Sequence, residues 1–361
     1  MTSVVHLAEP SNGGVPAVMA AIAIAQHQAG MQVTVVGHPS SDQRARVIES
    51  GVDYVDLPFT DLRLAGKHAR LIRDRSRNAD LMHFHSSRAG LFRAALFLGR
   101  RKAVVEFSPH GWGWLAAPRL VRWPYKRVER LLKRVTDHFH LLGHNEVEEA
   151  RRNIGLKATE YTVIGNGVDT DAFSPGEGKR AGGDDGLEIL CVGRLCRQKG
   201  QDLLIRAIAE LGPVLQHRIR LTLIGAGPDE QELRALASEF DINVGFLGHR
   251  TNLVEDYRRA DIIVLPSRWE GVPLVAMEAI SCGAAVLLTE PASDPGLRPF
   301  VRTCQPTASD ISTVLGELIR DPIARKELRG RALSARAEMD QRAALQGHVR
   351  LTNVLVWGAA S

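Results

Sequence analysis

Short apolar runs alternate with amphipathic stretches of helical length along most of this chain of 361 residues. The runs Ser3–Leu7, Gln32–Gly37, Tyr54–Leu57, Leu81–His85, Ala103–Phe107, His138–Leu142 and Tyr161–Ile164 predict strands. Between them Val15–Ala29, Asp61–Arg77 and Arg119–Arg134 carry helical spacing. Repeated strand–helix–strand units predict a parallel sheet covered by helices on both faces. Thr170–Gly186, rich in Gly, Pro and charge, interrupts the pattern and reads as an interdomain linker. The alternation then restarts with strands at Glu188–Val192, Arg220–Ile224, Asn243–Phe246, Asp261–Leu265 and Ala285–Leu288. Helices are expected at Gln201–Leu211, Asp229–Phe240, Leu253–Arg259 and Leu274–Ser281, and nearly everywhere after Ser309. The expectation is α/β: two Rossmann-like domains, residues 1–169 and 170–339, with a C-terminal helix at about 340–361 packing back on the first.

Composition permits this. Apolar residues make up 44% and charged residues 24% of the chain, so each half can bury its own core. The four cysteines, Cys191, Cys196, Cys282 and Cys304, show neither C-x-x-C pairing nor zinc spacing, and few scattered thiols fit a reducing compartment. The first residues lack the basic and apolar regions of a signal peptide, and no apolar run approaches the roughly 20 residues needed to span a bilayer. A cytoplasmic location is therefore expected. The net charge of +5 is unevenly spread: Ser86–Val135 holds twelve Lys or Arg against two Glu, which leaves the remainder net acidic.

In open α/β sheets ligands collect beyond the carboxyl ends of the strands, so chemistry is sought in those loops. The first is Ala8–Gly14, where Gly13 and Gly14 lead into a helix N-terminus suited to an anion. It lacks the G-x-G-x-x-G dinucleotide pattern, and a tight turn accounts for the two glycines equally well. The second, VGRLCRQKG at Val192–Gly200, sets Arg194 and Lys199 five residues apart between glycines. A guanidinium and an ammonium suit a diphosphate, although solvated surface charge has the same appearance. The third, PSRWEGVPLVAME at Pro266–Glu278, places Glu270 in a strand–helix loop and Glu278 about one turn into the helix. Carboxylates there can grip sugar or ribose hydroxyls. No D-x-D or histidine–carboxylate cluster demands a metal, so no metal or other cofactor is expected.

Together these segments resemble the retaining glycosyltransferase family four, of the two-domain B-type fold (GT-B). Eight collinear blocks carry the resemblance: the early GG loop, ADLMHFH, PHGW, IGNGVD, VGRLCRQKG, LIGAGPDEQEL, VGFLGH and the E-x7-E segment. The resemblance implies an active site in a cleft between domains, with a nucleotide-sugar donor, uridine by default, bound by the second. Arg194 and Lys199 would bind the donor diphosphate, Glu278 the ribose, and Glu270 with Gly271, Val272, Pro273 and Leu274 the sugar. Gly13 and Gly14 would approach the distal phosphate, His110 would lie beside the reacting sugar carbon, and Gly248, His249 and Arg250 would meet the base. A departing diphosphate stabilised by cations and a helix N-terminus needs no metal.

The acceptor is read from the basic stretch. Trp112, Trp114 and Trp123 interleave there with Arg119, Arg122, Lys126 and Arg127. Aromatic and cationic side chains together suit a headgroup interface, at about 1 kcal/mol per nearby basic residue on anionic lipid. A lipid-linked glycan acceptor, met at the inner face of a membrane during cell-surface polysaccharide assembly, is one expectation. A small hydrophobic natural product as acceptor and a non-catalytic nucleotide-sugar-binding module are the alternatives. No nucleic-acid recognition motif accompanies the charge, so no nucleic acid partner is expected.

Overall fold

The computed structural model describes residues 1–58, 65–176 and 186–358. The expected helix start at residues 61–64, most of the expected linker (177–185) and the last three residues lie outside them. The chain forms two compact units, residues 1–166 with 342–361, and residues 167–341.

The first unit is a seven-stranded parallel sheet: β1 (Ser3–Ala8), β2 (Gln32–Gly37), β3 (Asp53–Asp56), β4 (Leu81–His85), β5 (Val104–Ser108), β6 (His138–Leu141) and β7 (Tyr161–Val163), in the order β3-β2-β1-β4-β5-β6-β7. Successive side chains of a strand face opposite ways. One face buries Val5, Leu7, Met82, Phe84, Val105, Phe107, Phe139 and Leu141 in an apolar core. The other buries Val4, Ala8, Val33, Val35 and Leu81 against Met19, Ala20 and Ala23 of the Gly14–Gln28 helix. The C-terminal helix, Gln341–Trp357, supports this second face: Val349, Leu355 and Val356 pack on the cluster, and Trp357 Nε1 donates to Thr2 Oγ1 at 2.9 Å. Buried Arg93 is an exception to the surface reading of the basic stretch. Its guanidinium lies 3.6 Å from the Phe107 ring centroid and 2.6 Å from buried Glu129.

The second unit is a six-stranded parallel sheet: β8 (Leu187–Val192), β9 (Ile219–Ile224), β10 (Val244–Phe246), β11 (Ile262–Leu265), β12 (Ala285–Thr289) and β13 (Arg302–Cys304), in the order β10-β9-β8-β11-β12-β13. Its inner strands β11 and β12 read as nearly continuous apolar runs because both faces are covered. Leu187, Ile189, Cys191, Ile262 and Val264 enter one core, and Leu190, Val192, Ile263, Leu265 and Val286 the other. β13 has no counterpart in the sequence reading; three residues on one edge are too few to show a period.

The start of the expected linker is packed rather than free. Phe173 packs on the second unit's core, Ser281 Oγ donates to its carbonyl, and Arg258 Nε donates to Ser174 O at 2.7 Å. The change of unit comes before it, at Gly167. A Cβ on Gly167 would stand 2.0 Å from Gln341 Cα, and Val168 pairs with Met339 and Gln341 through bonds of 2.8 and 2.9 Å. The close approach of two backbones, rather than turn composition, sets this boundary.

Candidate active site

In the second unit the strand order reverses between β8 and β11, the position where α/β sheets bind ligands. The loops leaving these strands are knitted together. Arg268 N donates to Gln198 O at 2.8 Å, Gln198 Nε2 to Trp269 O at 3.1 Å, and Arg268 forks onto Asp202 at 2.8 and 2.6 Å. Gly200 is required by the contact itself: its φ is +69°, and a Cβ would meet Pro266 O at 2.1 Å.

On this platform the two cations stand in different states. Lys199 Nζ donates to Glu270 Oε1 at 2.5 Å, and Ser267 Oγ donates to the same oxygen at 2.7 Å. Arg194 is exposed, and among the described residues its guanidinium makes no hydrogen bond or ion pair. Of the two cations expected to bind a diphosphate, Lys199 is held by Glu270 and Arg194 is open. The cause is the packing of the two loops, which sets the 199 and 270 side chains tip to tip.

The Leu274–Ser281 helix starts after Pro273 without a side-chain cap, so its first-turn N–H groups have no side-chain acceptor. Gly271, Val272 and Pro273 form its approach. Glu278 lies in its second turn, partly buried, with Oε2 accepting from the Tyr257 hydroxyl at 2.7 Å. Burial raises the Glu278 carboxyl above its usual range while Tyr257 opposes the shift. Gly225 N donates to Gly248 O at 2.8 Å, which fixes the adjoining loop. His249 and Arg250 there are exposed, and Arg250 reaches Asp256 at 2.7 Å. The unit therefore presents a free guanidinium, a restrained ammonium, an uncapped helix start and a positioned carboxylate, chemistry suited to an anionic, hydroxyl-bearing ligand.

In the first unit the order reverses between β1 and β4. Gly13, with φ +92°, leads from the β1 loop into the Gly14–Gln28 helix, and both glycines are exposed. His110 follows β5 with φ +50°, a conformation rarely taken by non-glycine residues and one that clusters at functional sites. Its loop is pinned by a buried carboxylate: Gly111 N donates to Glu146 Oε1 at 2.5 Å, and Leu142 N to Oε2 at 2.9 Å.

Two of the expected acceptor residues belong to the core instead. Trp112 and Trp114 are 2% and 1% exposed and stack at 4.3 Å. Their indole N–H groups bond Glu146 O and Glu149 Oε2. Burial of such large rings with satisfied N–H groups makes them structural. Arg122 is also engaged, donating to Ala117 O and Leu115 O. The Arg119–Leu132 helix keeps Trp123 exposed, with Arg127 stacked 4.6 Å from its centroid; Arg119 is also exposed and Lys126 half-buried.

A histidine cluster went unseen in the sequence. His6, His83, His85 and His140 share the second face of the sheet with Glu106 and Ser108, all buried. The signal was available: H-x-H in LMHFH and in HFHL sets polar residues at strand period within apolar runs. His6 with His83 and His85, and His83 with Glu106 and His140, bring their ligand atoms within 4.8 Å of one another. A histidine–carboxylate cluster does exist, assembled across four strands. Most of its ring nitrogens are engaged in hydrogen bonds. His83 Nε2 meets Ser108 Oγ at 2.7 Å, Ser108 Oγ meets His140 Nδ1 at 2.6 Å, and His140 Nε2 meets Ile164 O at 2.9 Å. Burial lowers His6 and His140 to about 4 and pushes Glu106 up to about 8.

Comparison with known proteins places the chain in context. The model described as "Glycosyltransferase Family 4" matches residues 12–172, and that described as "Glycosyl transferases group 1" matches residues 178–297. The chain is 31% identical over 277 residues to the GDP-mannose-dependent monoacylated alpha-(1-6)-phosphatidylinositol monomannoside mannosyltransferase of Corynebacterium glutamicum, covering 71% of this chain and 70% of that one. It is 35% identical over 213 residues to a D-inositol 3-phosphate glycosyltransferase of Geodermatophilus obscurus, covering 51% and 45%. The chain spans about half the length of several curated relatives that it matches. The solved sucrose-phosphate synthase of Thermosynechococcus elongatus superimposes over all of both chains with a TM-score of 0.83 at 19% identity, a likeness of fold. The two parallel sheets are thus those of the GT-B fold.

Proposed function

The chain belongs to glycosyltransferase family four, and from that membership we propose that it moves a sugar from a nucleoside diphosphate sugar to a hydroxyl acceptor, retaining anomeric configuration without a metal. The observation that carries this reading is the second unit's reversal point, where Arg194 is open, Lys199 is restrained by Glu270, and Glu278 lies in the uncapped helix. As the diphosphate departs, negative charge grows on it while the sugar becomes oxocarbenium-like. Fixed cations and helix N–H groups stabilise that charge without reorganising. Glu278, oriented by Tyr257, supplies acceptors for the ribose hydroxyls. The acceptor attacks from the face of the leaving group, and a phosphate oxygen takes its proton. His110 contacts the donor sugar.

Uridine is favoured by the resemblance, and one well-covered relative is named as GDP-mannose-dependent, so both bases belong in one screen. Thermal shift with UDP- and GDP-sugars side by side is expected to raise Tm with one base series at concentrations well above Kd, by about 3 kcal/mol of linkage at 100 Kd. No shift with any donor would overturn the reading. Slow hydrolysis of the stabilising donor separates an enzyme from a binding module.

A membrane-borne, lipid-linked acceptor, as in cell-surface polysaccharide assembly, is supported by the Arg119–Leu132 helix. Leu120, Pro124, Arg127 and Leu131 follow helical spacing along one exposed stripe, with Trp123 and Val128 beside it. Leu120 is 93% and Trp123 66% exposed, an outward apolar face with basic neighbours, as interfacial helices show. Among the described residues no helix is long and apolar enough to cross a membrane. The chain is expected to co-sediment with anionic vesicles in a salt-sensitive way. Leu120→Asp with Trp123→Asp should weaken that binding about tenfold or more. Absence of sedimentation with both anionic and neutral vesicles would end the membrane proposal and favour a small hydrophobic acceptor.

A further inference from the structure

Three side chains behind His110 form with it a single hydrogen-bonded file. Gln26 Oε1 meets His6 Nε2 at 2.6 Å, His6 Nδ1 meets His85 Nε2 at 2.9 Å, and His85 Nδ1 meets His110 Nε2 at 2.9 Å. A neutral imidazole carries one N–H and one lone pair. In a file of neutral rings every contact must join a donor to an acceptor, so the first contact sets the direction of all the others.

We propose that Gln26, acting through His6 and His85, fixes the tautomer of His110 and leaves its Nδ1 as a bare acceptor toward the donor sugar. This rests on the reading that His110 contacts that sugar. The rings stay neutral because burial disfavours their charged forms: His6 falls to about 4, His110 to about 3, and His85 is lowered well below its ordinary value. The Gln26 amide gives the file its direction. Its nitrogen donates to Thr352 Oγ1 at 2.9 Å, which leaves its oxygen, an acceptor only, facing His6. The proton of His6 then sits on Nε2 and its Nδ1 accepts from His85 Nε2–H. His85 Nδ1 in turn accepts from His110 Nε2–H.

The remaining His110 nitrogen, Nδ1, makes no hydrogen bond among the described residues, and the residue as a whole is not fully buried. Its lone pair can accept from a sugar hydroxyl and presents the negative end of the ring dipole to a sugar gaining positive charge. The opposite tautomer would present an N–H to that charge. Such a difference acts mainly in the transition state and so on kcat. The backbone takes positive φ at Ser86 (+74°), directly after His85, and at His110 (+50°), the end of the file. Gln26, His6 and His85 are positioning residues, since none of them needs to touch substrate.

Ring tautomers can be read by long-range 1H–15N correlation on the full chain labelled with 15N-histidine at neutral pH. His110 is expected as the Nε2–H tautomer, and His6 and His85 likewise. Gln26→Met removes the acceptor and would leave a buried N–H orphaned on His6, so the file is expected to reverse and His110 to gain Nδ1–H. In the same variant kcat should fall about tenfold with the donor KM within about twofold, the scale of one lost hydrogen bond. Ser108→Ala, in the separate His83–Ser108–His140 branch, should leave the His110 tautomer unchanged and serves as the control for damage to the buried face. Wild-type His110 found with its proton on Nδ1 overturns the relay even if every variant misfolds. An unaltered His110 spectrum in folded Gln26→Met overturns it too. A tautomer that responds as expected while kcat does not move upholds the relay and overturns the sugar contact assigned to His110.

Discussion

Lys199→Ala is expected to lower kcat at least about 100-fold, the scale seen when one donor is removed from a preorganised anion site, roughly 3 kcal/mol. Two effects add in that variant. The ammonium that would neutralise the departing diphosphate is lost, and Glu270, whose side chain is 9% exposed, keeps its charge with only the Ser267 hydroxyl still donating to it. An uncompensated carboxylate at the reversal point repels the diphosphate and destabilises the loop, since breaking a buried pair costs more than the pair is worth. The two contributions separate experimentally. Unfolding midpoints report the orphaned carboxylate, and single-turnover rates at saturating donor report the transition state. Lys199→Ala with Glu270→Gln should regain most of the lost stability and little of the lost rate. Turnover close to that of the unaltered protein in folded Lys199→Ala would remove this residue from the mechanism, and with it the main electrostatic argument for transfer.

The second large effect is acid lability of the first unit. Burial lowers His6 and His140 to about 4, and lowers His83, His85 and His348 well below their ordinary value of 6.5. Such rings stay neutral in the folded chain and charge when it unfolds, so their contribution is complete above pH 6.5 and is lost as pH falls toward 4. Glu106, raised to about 8, works the other way: folded, it holds a proton that the unfolded chain releases above about pH 4.5. One proton opposes several. The net slope rises from about 2 kcal/mol per pH unit at pH 6.5 to about 5 at pH 4.5, at about 1.4 kcal/mol per proton. Against a total stability of about 5–15 kcal/mol, unfolding is expected within that window, before ordinary carboxylates titrate. Four of the five tryptophans, Trp112, Trp114, Trp123 and Trp357, belong to this unit, so urea midpoints followed by tryptophan fluorescence report it. Midpoints that stay constant from pH 6.5 to 4.5 would show that the rings titrate in the folded state and that the cluster is open to solvent.

The Arg119–Leu132 helix and the loop before it show how far pattern reading reaches. Sequence alone could say that tryptophans and basic residues alternate from His110 to Arg127. It could not say that Trp112 and Trp114 turn inward to stack on each other while Trp123 turns outward, because the Gly113–Ala116 helix is about one turn long and too short to show a period that assigns a face. Arg93 makes the same point, its charge absorbed by Glu129, 36 residues away.

What the chain determined by itself was periodic or local. Strand runs such as Gln32–Gly37 and Leu81–His85 coincide with the observed elements because nearly all of their residues are buried on the two covered faces of the sheet, so a mostly apolar run of strand length marks each of them. The placement of Arg194, Lys199, Glu270 and Glu278 in loops and a helix start also followed from local order, since loops after strands are where such a sheet exposes backbone. Only the tertiary structure decided which of those groups meet. Lys199 and Glu270 lie 71 residues apart, and His6 and His85 lie 79 apart. Strand order and register bring them within hydrogen-bond distance, and neither can be read from any single segment. A contact of that kind depends on how whole strands lie beside one another, so it exists only once the sheet has formed.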